Sequence, residues 1–151
     1  MSGSGRARLR TQARRMAVQA LYQWQIGDDA IAAIEAQFLA DHTGHGADLE
    51  YFHELLDGVA RERGALDEAL TPCLDRPADQ VDTVERAILW MAGYELRARW
   101  DVPYRVVINE AVELAHTFGG ENAHRFVNAV LDRLAARERA MEVGQPRRDA
   151  R

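Results

Sequence analysis

Three Glu-x-x-His pairs are the residues whose types and spacing could support metal chemistry. The pairs are Glu50/His53, Glu113/His116 and Glu121/His124. Helical bundles bind metal ions through such pairs only when both side chains project toward the bundle interior. On helical wheels centred on the nearby apolar stripes, Glu113, His116 and Glu50 all face away from the core. Glu121 falls at a helix start, where the helix dipole favours an acid in any case. We therefore expect no metal site at these pairs.

Nucleophilic and cofactor-dependent chemistry also lack their usual signals. Serine occurs only at positions 2 and 4, and Cys73 is the only cysteine, which fits a reducing compartment. The sequence contains no Gly-x-Ser-x-Gly, no Walker A loop and no dinucleotide fingerprint. His42 and His45, in a predicted loop over 42–46, would need two more ligands to bind zinc. The chain is predicted not to be an enzyme and to need no cofactor; the alternative, a metal-dependent helical enzyme, is testable by metal analysis.

The basic residues are unevenly distributed along the chain. All 19 are arginine, and the net charge is −5. Residues 1–27 contain no acid and five arginines, Arg6, Arg8, Arg10, Arg14 and Arg15. Arginine near a helix N-terminus opposes the helix dipole, so a cluster of five without an acid indicates a use. Either this is a solvated helix end, or, as we predict, the arginines bind the phosphates of a nucleic acid.

The elements that must position these residues are predicted to be helices throughout. Apolar residues recur at helical spacing in seven segments, and no alternating pattern typical of strands appears. The first segment runs through Ala13 to Trp24, and the others cover about 28–41, 49–59, 65–74, 79–97, 107–118 and 121–139. The helix over 79–97 is apolar nearly all round, which predicts a central helix buried on more than one side. The chain is thus predicted to be all-α, with a disordered N-terminus at 1–5, one helical domain at 6–140 and a flexible tail at 141–151.

Three side chains depart from these helical patterns. Tyr22 and Val18 fall off the apolar face of the first helix, so they pack either on another helix of the chain or on a partner. Glu95 lies on the core stripe of the central helix, where a carboxylate needs a partner; Arg99 or the N–H groups of a helix start are the candidates. Since there is no signal peptide and no apolar run long enough to span a membrane, we expect a cytoplasmic location and no membrane partner.

Several stretches resemble the NusB transcription-antitermination family. The first helix contains Ala13-Arg14 and then the run from Ala17 to Trp24, AVQALYQW; the third contains Tyr51-Phe52 and Gly58-Val59. The central helix contains VERAIL at 84–89 and YEL at 94–96. The more specific stretches are DVPY at 101–104 with INEA at 108–111, and FVNAVLD at 126–132. The resemblance covers about residues 10–135.

The resemblance implies a fold, a function and partners. It implies about seven helices in two packed helical subdomains, and binding to boxA-type single-stranded RNA of ribosomal RNA leaders. It also implies a heterodimer with the small-subunit ribosomal protein NusE, and promotion of read-through by RNA polymerase together with other Nus factors. The family's NusE contact corresponds here to Val18, Tyr22, Asp79 and Glu85. Family members occur as monomers or homodimers, so a homodimer is possible.

Base recognition is predicted at the turn that precedes the last helix. Single-stranded RNA is recognised by stacking on aromatic rings and by hydrogen bonds to base edges. The segment 118–126 offers Phe118, Asn122, Arg125 and Phe126. Phe126 falls at the edge of the core, where one ring face could be open; alternatively it is a peripheral core residue and Asn122 a helix N-cap.

One departure from the family concerns the basic arm, by which we mean the stretch of the first helix that carries the five arginines from Arg6 to Arg15. The family often has an arginine cluster directly before Ala13-Arg14, whereas here Thr11 and Gln12 separate Arg10 from that pair. Two alternative functions remain: a NusB-like RNA-binding or protein-interaction module serving an RNA-modifying enzyme, and a protein-only scaffold that uses the Tyr22 surface.

Overall fold

The computed structural model describes residues 3–42 and 46–144, and these are almost entirely helical. The helices are α1 (Gly3–Ile26), α2 (Ile31–His42), α3 (Leu49–Leu70), α4 (Thr83–Ala98), α5 (Tyr104–Phe118), α6 (Ala123–Glu138) and the short α7 (Ala140–Val143). Single 3₁₀ turns at Thr71–Cys73 and Ala78–Gln80 lead from α3 to α4. No strand occurs in these ranges, which confirms the all-α prediction.

The helices pack as two subdomains around α4. The first three helices contact one another, α4, α5 and α6 contact one another, and α4 also packs on α1 and α3. Every residue from Ala87 to Leu96 is buried, so α4 is covered on all sides, as its apolar pattern predicts. Within the ranges that the structure describes, no helix is long and apolar enough to cross a membrane.

Local sequence signals account for the helix starts and for one close approach. Asp48 and Asp82 cap α3 and α4, since their carboxylates accept the N–H groups of Tyr51 and Val84 at 3.0 Å. Gly58 of α3 lies against the ring of Tyr94 of α4; a Cβ at this position would come within 2.2 Å of the Tyr94 Cε1. Only glycine therefore lets α3 and α4 approach so closely.

Four predicted boundaries were wrong. The separate helix expected at 65–74 is part of α3, which continues through a kink at Glu62 (φ −107°, ψ 15°) to Leu70. The central helix begins at Thr83, because Asp82 takes the cap position, and not at 79. Residues 3–5, expected to be disordered, are already in α1. At the other end, residues 141–143 of the predicted tail belong to α7, while positions 1–2 and 145–151 lie outside the described residues.

A buried arginine near the C-terminus joins three helices. The Arg139 side chain is fully buried, and its guanidinium donates to the carbonyl oxygens of Leu96 (2.7 Å), Arg99 (2.8 Å) and Val102 (3.0 Å). It also donates to Glu142 at 2.7 Å, whose second carboxylate oxygen accepts the N–H of Tyr104 at 2.9 Å. We call this set the Arg139 clamp. It satisfies carbonyls at the end of α4 and the N–H at the start of α5, groups that a helix cannot satisfy internally.

Candidate nucleic-acid interface

The basic residues of the arm lie on one continuous helix. At 100° per residue, Arg8 and Arg15 share one face of α1, while Arg6, Arg10 and Arg14 lie on another. Arg6, Arg8 and Arg15 are exposed, and none of them forms an ion pair with any residue that the structure describes. These three cations are therefore free to meet an anionic ligand.

Arg14 does not belong to this exposed set, and its burial argues against the predicted contact with RNA. Its side chain is 3% exposed, and its guanidinium holds the Glu95 carboxylate by two hydrogen bonds of 2.8 Å, Nε to Oε1 and Nη2 to Oε2. A third bond of 2.8 Å runs from Nη1 to Glu110 of α5. Burial disfavours the charged guanidinium, but the bond to Glu95 outweighs this and holds the pKa of Arg14 above its ordinary value. Arg14 is thus the partner that buried Glu95 requires.

The same carboxylate also accepts the hydroxyl of Tyr51 from α3. Burial, together with the negative charge of Glu95, raises the pKa of Tyr51, which keeps this hydroxyl protonated. Arg99, one of the partners expected for Glu95, instead binds Glu54 at 2.8 Å and Asp101 at 3.0 Å. The ion cluster links α1, α3, α4 and α5, so α1 is fixed to both subdomains.

Arg10 is intermediate between the core cluster and the free cations. It lies 3.9 Å from Asp48 and 3.8 Å from Asp101, and its guanidinium stands 4.4 Å from the ring centroid of Tyr51. Its buried Nε has no hydrogen-bond partner. The hydroxyl of Thr11, at the departure from the family pattern, donates to Glu110 of α5 and lies within hydrogen-bond distance of the carbonyl of Ala7.

The turn between α5 and α6 adjoins the basic arm. The guanidinium of Arg15 lies 5.6 Å from the ring centroid of half-buried Phe118. Asn122 stands in the left-handed region (φ 65°) at the N-cap position of α6, yet its exposed side chain makes no capping bond. Arg125 is exposed beside it. The structure thus joins the two predicted halves of the site through Arg15 and Phe118.

Phe126 was predicted to expose one ring face, and this is wrong. Its side chain is 7% exposed, and the guanidinium of Arg76 covers the ring at 3.9 Å from the centroid. Arg76 is in turn held by Asp75 at 2.8 Å. A base could stack on Phe126 only after Arg76 moved away. The ring therefore belongs to the edge of the core, the alternative that the sequence left open.

The Glu-x-x-His pairs have other contacts in the structure. His53 bonds to Glu35 of α2 at 2.8 Å, and His116 stacks on His124 with ring centroids 4.1 Å apart and an interplanar angle of 22°. Desolvation, and then the nearby His116 and Arg125, lower the pKa of His124. Among the described residues, no group of three or more histidine, cysteine or acidic side chains is placed to hold a metal ion. The His116–His124 pair lies at the end of α5 and the start of α6, beside the Phe118 turn.

The residues expected to bind a protein lie further along the face of α1 that carries Arg8 and Arg15, since Tyr22 follows Arg15 by seven residues. A groove of about 440 Å³ runs along Tyr22, Gln23 and Ile26 and is closed by Phe38 and Val84. Tyr22 is 38% exposed, so it does not pack inside the chain. Val18 is 2% exposed and forms the floor of the groove, so it packs within the chain, one of the two alternatives that the sequence left open. We call this feature the Tyr22 groove.

The two acidic residues expected near this groove differ in exposure. Asp79 is exposed in the second 3₁₀ turn, whereas Glu85 is 9% exposed at the start of α4. Burial, followed by the negative charge of Asp82, raises the pKa of Glu85. The ionised form of Glu85 would be stabilised by a nearby cation, which a basic partner would supply.

Sequence reasoning missed the buried arginine interactions. Glu95 signalled that a partner was needed, but the candidates were Arg99 and the N–H groups of a helix start, and periodicity did not point to Arg14. No pattern pointed to Arg139, because its partners are carbonyl oxygens of residues more than thirty positions away. Such contacts depend on how whole helices pack, and a single sequence does not encode them as a motif.

This geometry defines a class of protein, a small helical protein with a basic first helix joined to an aromatic turn and an adjoining apolar groove. The sequence model of the NusB family matches residues 11–136. The chain therefore belongs to the NusB family.

Similar proteins support this assignment over most of the chain. The transcription antitermination protein NusB of Shewanella halifaxensis is 55% identical over 130 residues, covering 86% of this chain and 96% of that protein. A solved structure of T. maritima NusB aligns with a TM-score of 0.74 at 28% identity, covering 83% of this chain and 89% of that one. A chain from a crystal structure of the antitermination factors NusB and NusE in complex with dsRNA aligns with a TM-score of 0.75 at 25% identity, covering 82% and 93%.

Proposed function

We propose that this protein is a transcription antitermination factor that binds boxA-type RNA of ribosomal RNA leaders together with NusE and promotes read-through by RNA polymerase. The observation that carries the proposal is the contact of Arg15 with Phe118, which joins free cations to an aromatic turn in a chain whose relatives are antitermination proteins. The activity is binding and needs no catalytic residue.

The RNA-binding surface that we propose contains two kinds of group. Cations that position the phosphates come from the arm and from α6, namely Arg6, Arg8, Arg10, Arg15 and Arg125. Base contacts come from Phe118, which offers a ring for stacking, and from Asn122. The side-chain amide of Asn122 makes no capping bond to α6 and can both donate and accept hydrogen bonds. Arg14 and Phe126 are left out because both are buried.

The Tyr22 groove is the proposed site for NusE. An exposed aromatic ring beside an apolar floor suits a partner with an apolar contact, and Glu85, which follows the groove residue Val84 in α4, favours a basic partner. Asp79 does not line the groove and enters the proposal only through the family resemblance. The groove also includes Phe118, so the protein and RNA surfaces share one residue. A bound NusE would therefore lie next to the RNA on the same side of α1.

Reconstitution with purified NusE and a boxA RNA tests the proposal. The native chain should form a heterodimer, and the heterodimer should bind the boxA strand more tightly than a scrambled strand. Tyr22→Ala should weaken the heterodimer while leaving the helix content unchanged, because the ring is exposed. Val106→Ala, which removes an exposed apolar side chain outside the groove, is the matched control. Normal co-elution of the Tyr22→Ala variant with NusE would contradict the assigned groove.

A further inference from the structure

A pocket at the junction of α1, α3 and α4 has no role in the proposed function. It has a volume of about 370 Å³ and is lined by Trp24, Gln25, Gly27, Arg63, Arg86 and Trp90. We call it the Arg63 pocket. None of its lining residues is acidic, although the chain as a whole carries a net charge of −5. Trp24 lies nine residues beyond Arg15 on α1, which places it about 180° around the helix from that arginine. The pocket therefore opens on the side of α1 away from the proposed RNA surface.

Arg63 presents unused hydrogen-bond donors in this pocket. Its guanidinium lies 5.3 Å from the ring centroid of Trp24 and 5.2 Å from that of Trp90. It makes no ion pair and no hydrogen bond with any part of the chain that the structure describes. The two indole rings hold the guanidinium in place, so less side-chain entropy remains to be lost when a ligand binds.

The second cation of the pocket is also without a carboxylate partner. Within the described ranges, Arg86 donates only to backbone carbonyls, those of Ala78 and Val81, and these bonds use a single terminal nitrogen. Gln25 donates its amide to the carbonyl of Thr83 at 2.9 Å. The pocket thus brings together two guanidinium groups, and no side-chain anion lines it.

The carboxylate of Asp67, four residues after Arg63 on α3, forms no ion pair with Arg63 or Arg86. Asp67 accepts the indole N–H of Trp90 at 2.7 Å and lines a separate small cavity of about 20 Å³. No group among the described residues therefore satisfies both arginines, and a ligand that did so would be negatively charged and would offer several acceptor oxygens. A phosphate group meets these requirements, since its tetrahedral oxygens can accept from two guanidinium forks at once.

We propose that the Arg63 pocket binds a phosphate group, carried either by a small phosphorylated molecule or by an RNA strand. The site is independent of the arm, because its cations lie on α3 and α4. Its occupation would be sensed by Trp24, a partly buried ring in direct contact with Arg63.

Titration of the full chain with inorganic phosphate at constant ionic strength tests the site. Tryptophan fluorescence is read in a Trp100→Phe background, because Trp100 is 63% exposed and would add an unrelated signal. We expect a saturable change with phosphate and none with chloride. Arg63→Gln should weaken the apparent affinity about tenfold, the effect of losing a charged hydrogen bond. Arg61→Gln is the matched control, since Arg61 is an exposed arginine of the same helix that pairs with Asp57 at 2.8 Å.

Two further measurements complete the test. The Trp24 indole N–H signal in NMR spectra should shift with phosphate in the native chain and in Arg61→Gln, but not in Arg63→Gln. Titration with a short RNA in an Arg8→Gln/Arg15→Gln background distinguishes the two phosphate sources: a further loss on adding Arg63→Gln identifies the RNA backbone, and no further loss identifies a small phosphorylated molecule. A fluorescence change that is linear in phosphate, or equal in Arg63→Gln and the control, would overturn the proposal.

Discussion

Arg14 and Glu95 form a buried ion pair, and removing one partner would leave the other charge in the core. We expect Arg14→Met to lower the free energy of unfolding by about 3–5 kcal/mol, the usual cost of breaking such a pair. The neighbouring exposed Arg15→Gln should change the free energy of unfolding by less than about 0.5 kcal/mol. Urea denaturation followed by circular dichroism measures both. Equal stability of the two variants would show that the pair contributes nothing to the fold.

Phe118 and Phe126 offer a second comparison between neighbouring residues. Phe118 is half-buried at the proposed RNA surface, whereas Phe126 is covered by Arg76. Phe118→Ala should cost about 1–3 kcal/mol of RNA binding, the value of one stacked base, with a larger loss for boxA RNA than for a scrambled strand. Phe126→Ala should instead lower the free energy of unfolding by about 3 kcal/mol or more, as for other buried phenylalanines. The reverse pattern in filter binding and thermal melts would place the base on Phe126.

The first helix carries the basic arm, and its effect on RNA should depend on salt. Replacing Arg8 and Arg15 by glutamine removes two phosphate contacts, so the slope of log affinity against log salt should become shallower by about 1.4, at roughly 0.7 per contact for a single strand. The affinities for boxA RNA and for a scrambled RNA should fall by the same factor, because phosphate contacts carry no sequence information. Arg137→Gln, an exposed arginine on α6, serves as control. An unchanged slope would remove the arm from the RNA surface.

The Arg139 clamp makes a similarly specific prediction for the end of the chain. Arg139→Ala would leave buried carbonyls of α4 without donors, at a cost of about 1–3 kcal/mol for each group that water cannot reach. We expect a loss of at least about 3 kcal/mol in the free energy of unfolding, measured by chemical denaturation. Arg137→Ala, which removes an exposed arginine two residues earlier on α6, should change the free energy of unfolding by less than about 0.5 kcal/mol. If Arg137→Ala and Arg139→Ala are equally harmful, the clamp is not the stabilising feature.

The helices were predictable because apolar spacing reports which face is buried. The central position of α4 followed from its all-round apolar character, and Asp48 and Asp82 act as ordinary caps. The sequence did not reveal that α3 continues through Glu62, because a kink is decided by packing on both sides of it. Nor could it separate Arg14 from Arg15: adjacent arginines have the same chemistry, and only the fold shows which one meets Glu95. At the site, the link between Arg15 and Phe118 joins residues a hundred positions apart, which periodicity within one helix cannot detect.

At the scale of the whole molecule, the His116–His124 pair should make RNA binding depend on pH. Desolvation, His116 and Arg125 lower the pKa of His124 in the free protein. A polyanion bound beside the pair favours the charged ring and raises that pKa, so binding takes up a proton. Affinity should therefore rise as the pH falls from about 7.5 toward 5.5, the range in which histidine titrates.

The measurement is RNA affinity against pH at constant salt, in the native chain and in His116→Gln/His124→Gln. The double variant should show a flatter dependence. His53→Gln is the control, because His53 pairs with Glu35 on another face. A dependence that persists unchanged in the double variant would assign the proton uptake to groups elsewhere.

The anchoring of α1 by Arg14 has a thermodynamic consequence for recognition. The exposed arginines lie on the same continuous helix, α1, whose later part is buried in the core, so the helix backbone is ordered before any ligand binds. Association with a polyanion then needs no folding of the arm. The heat-capacity change of binding should be small, in contrast to the large negative value seen when a disordered basic tail folds on its target. Affinity would be governed by ion release and not by the cost of forming a helix.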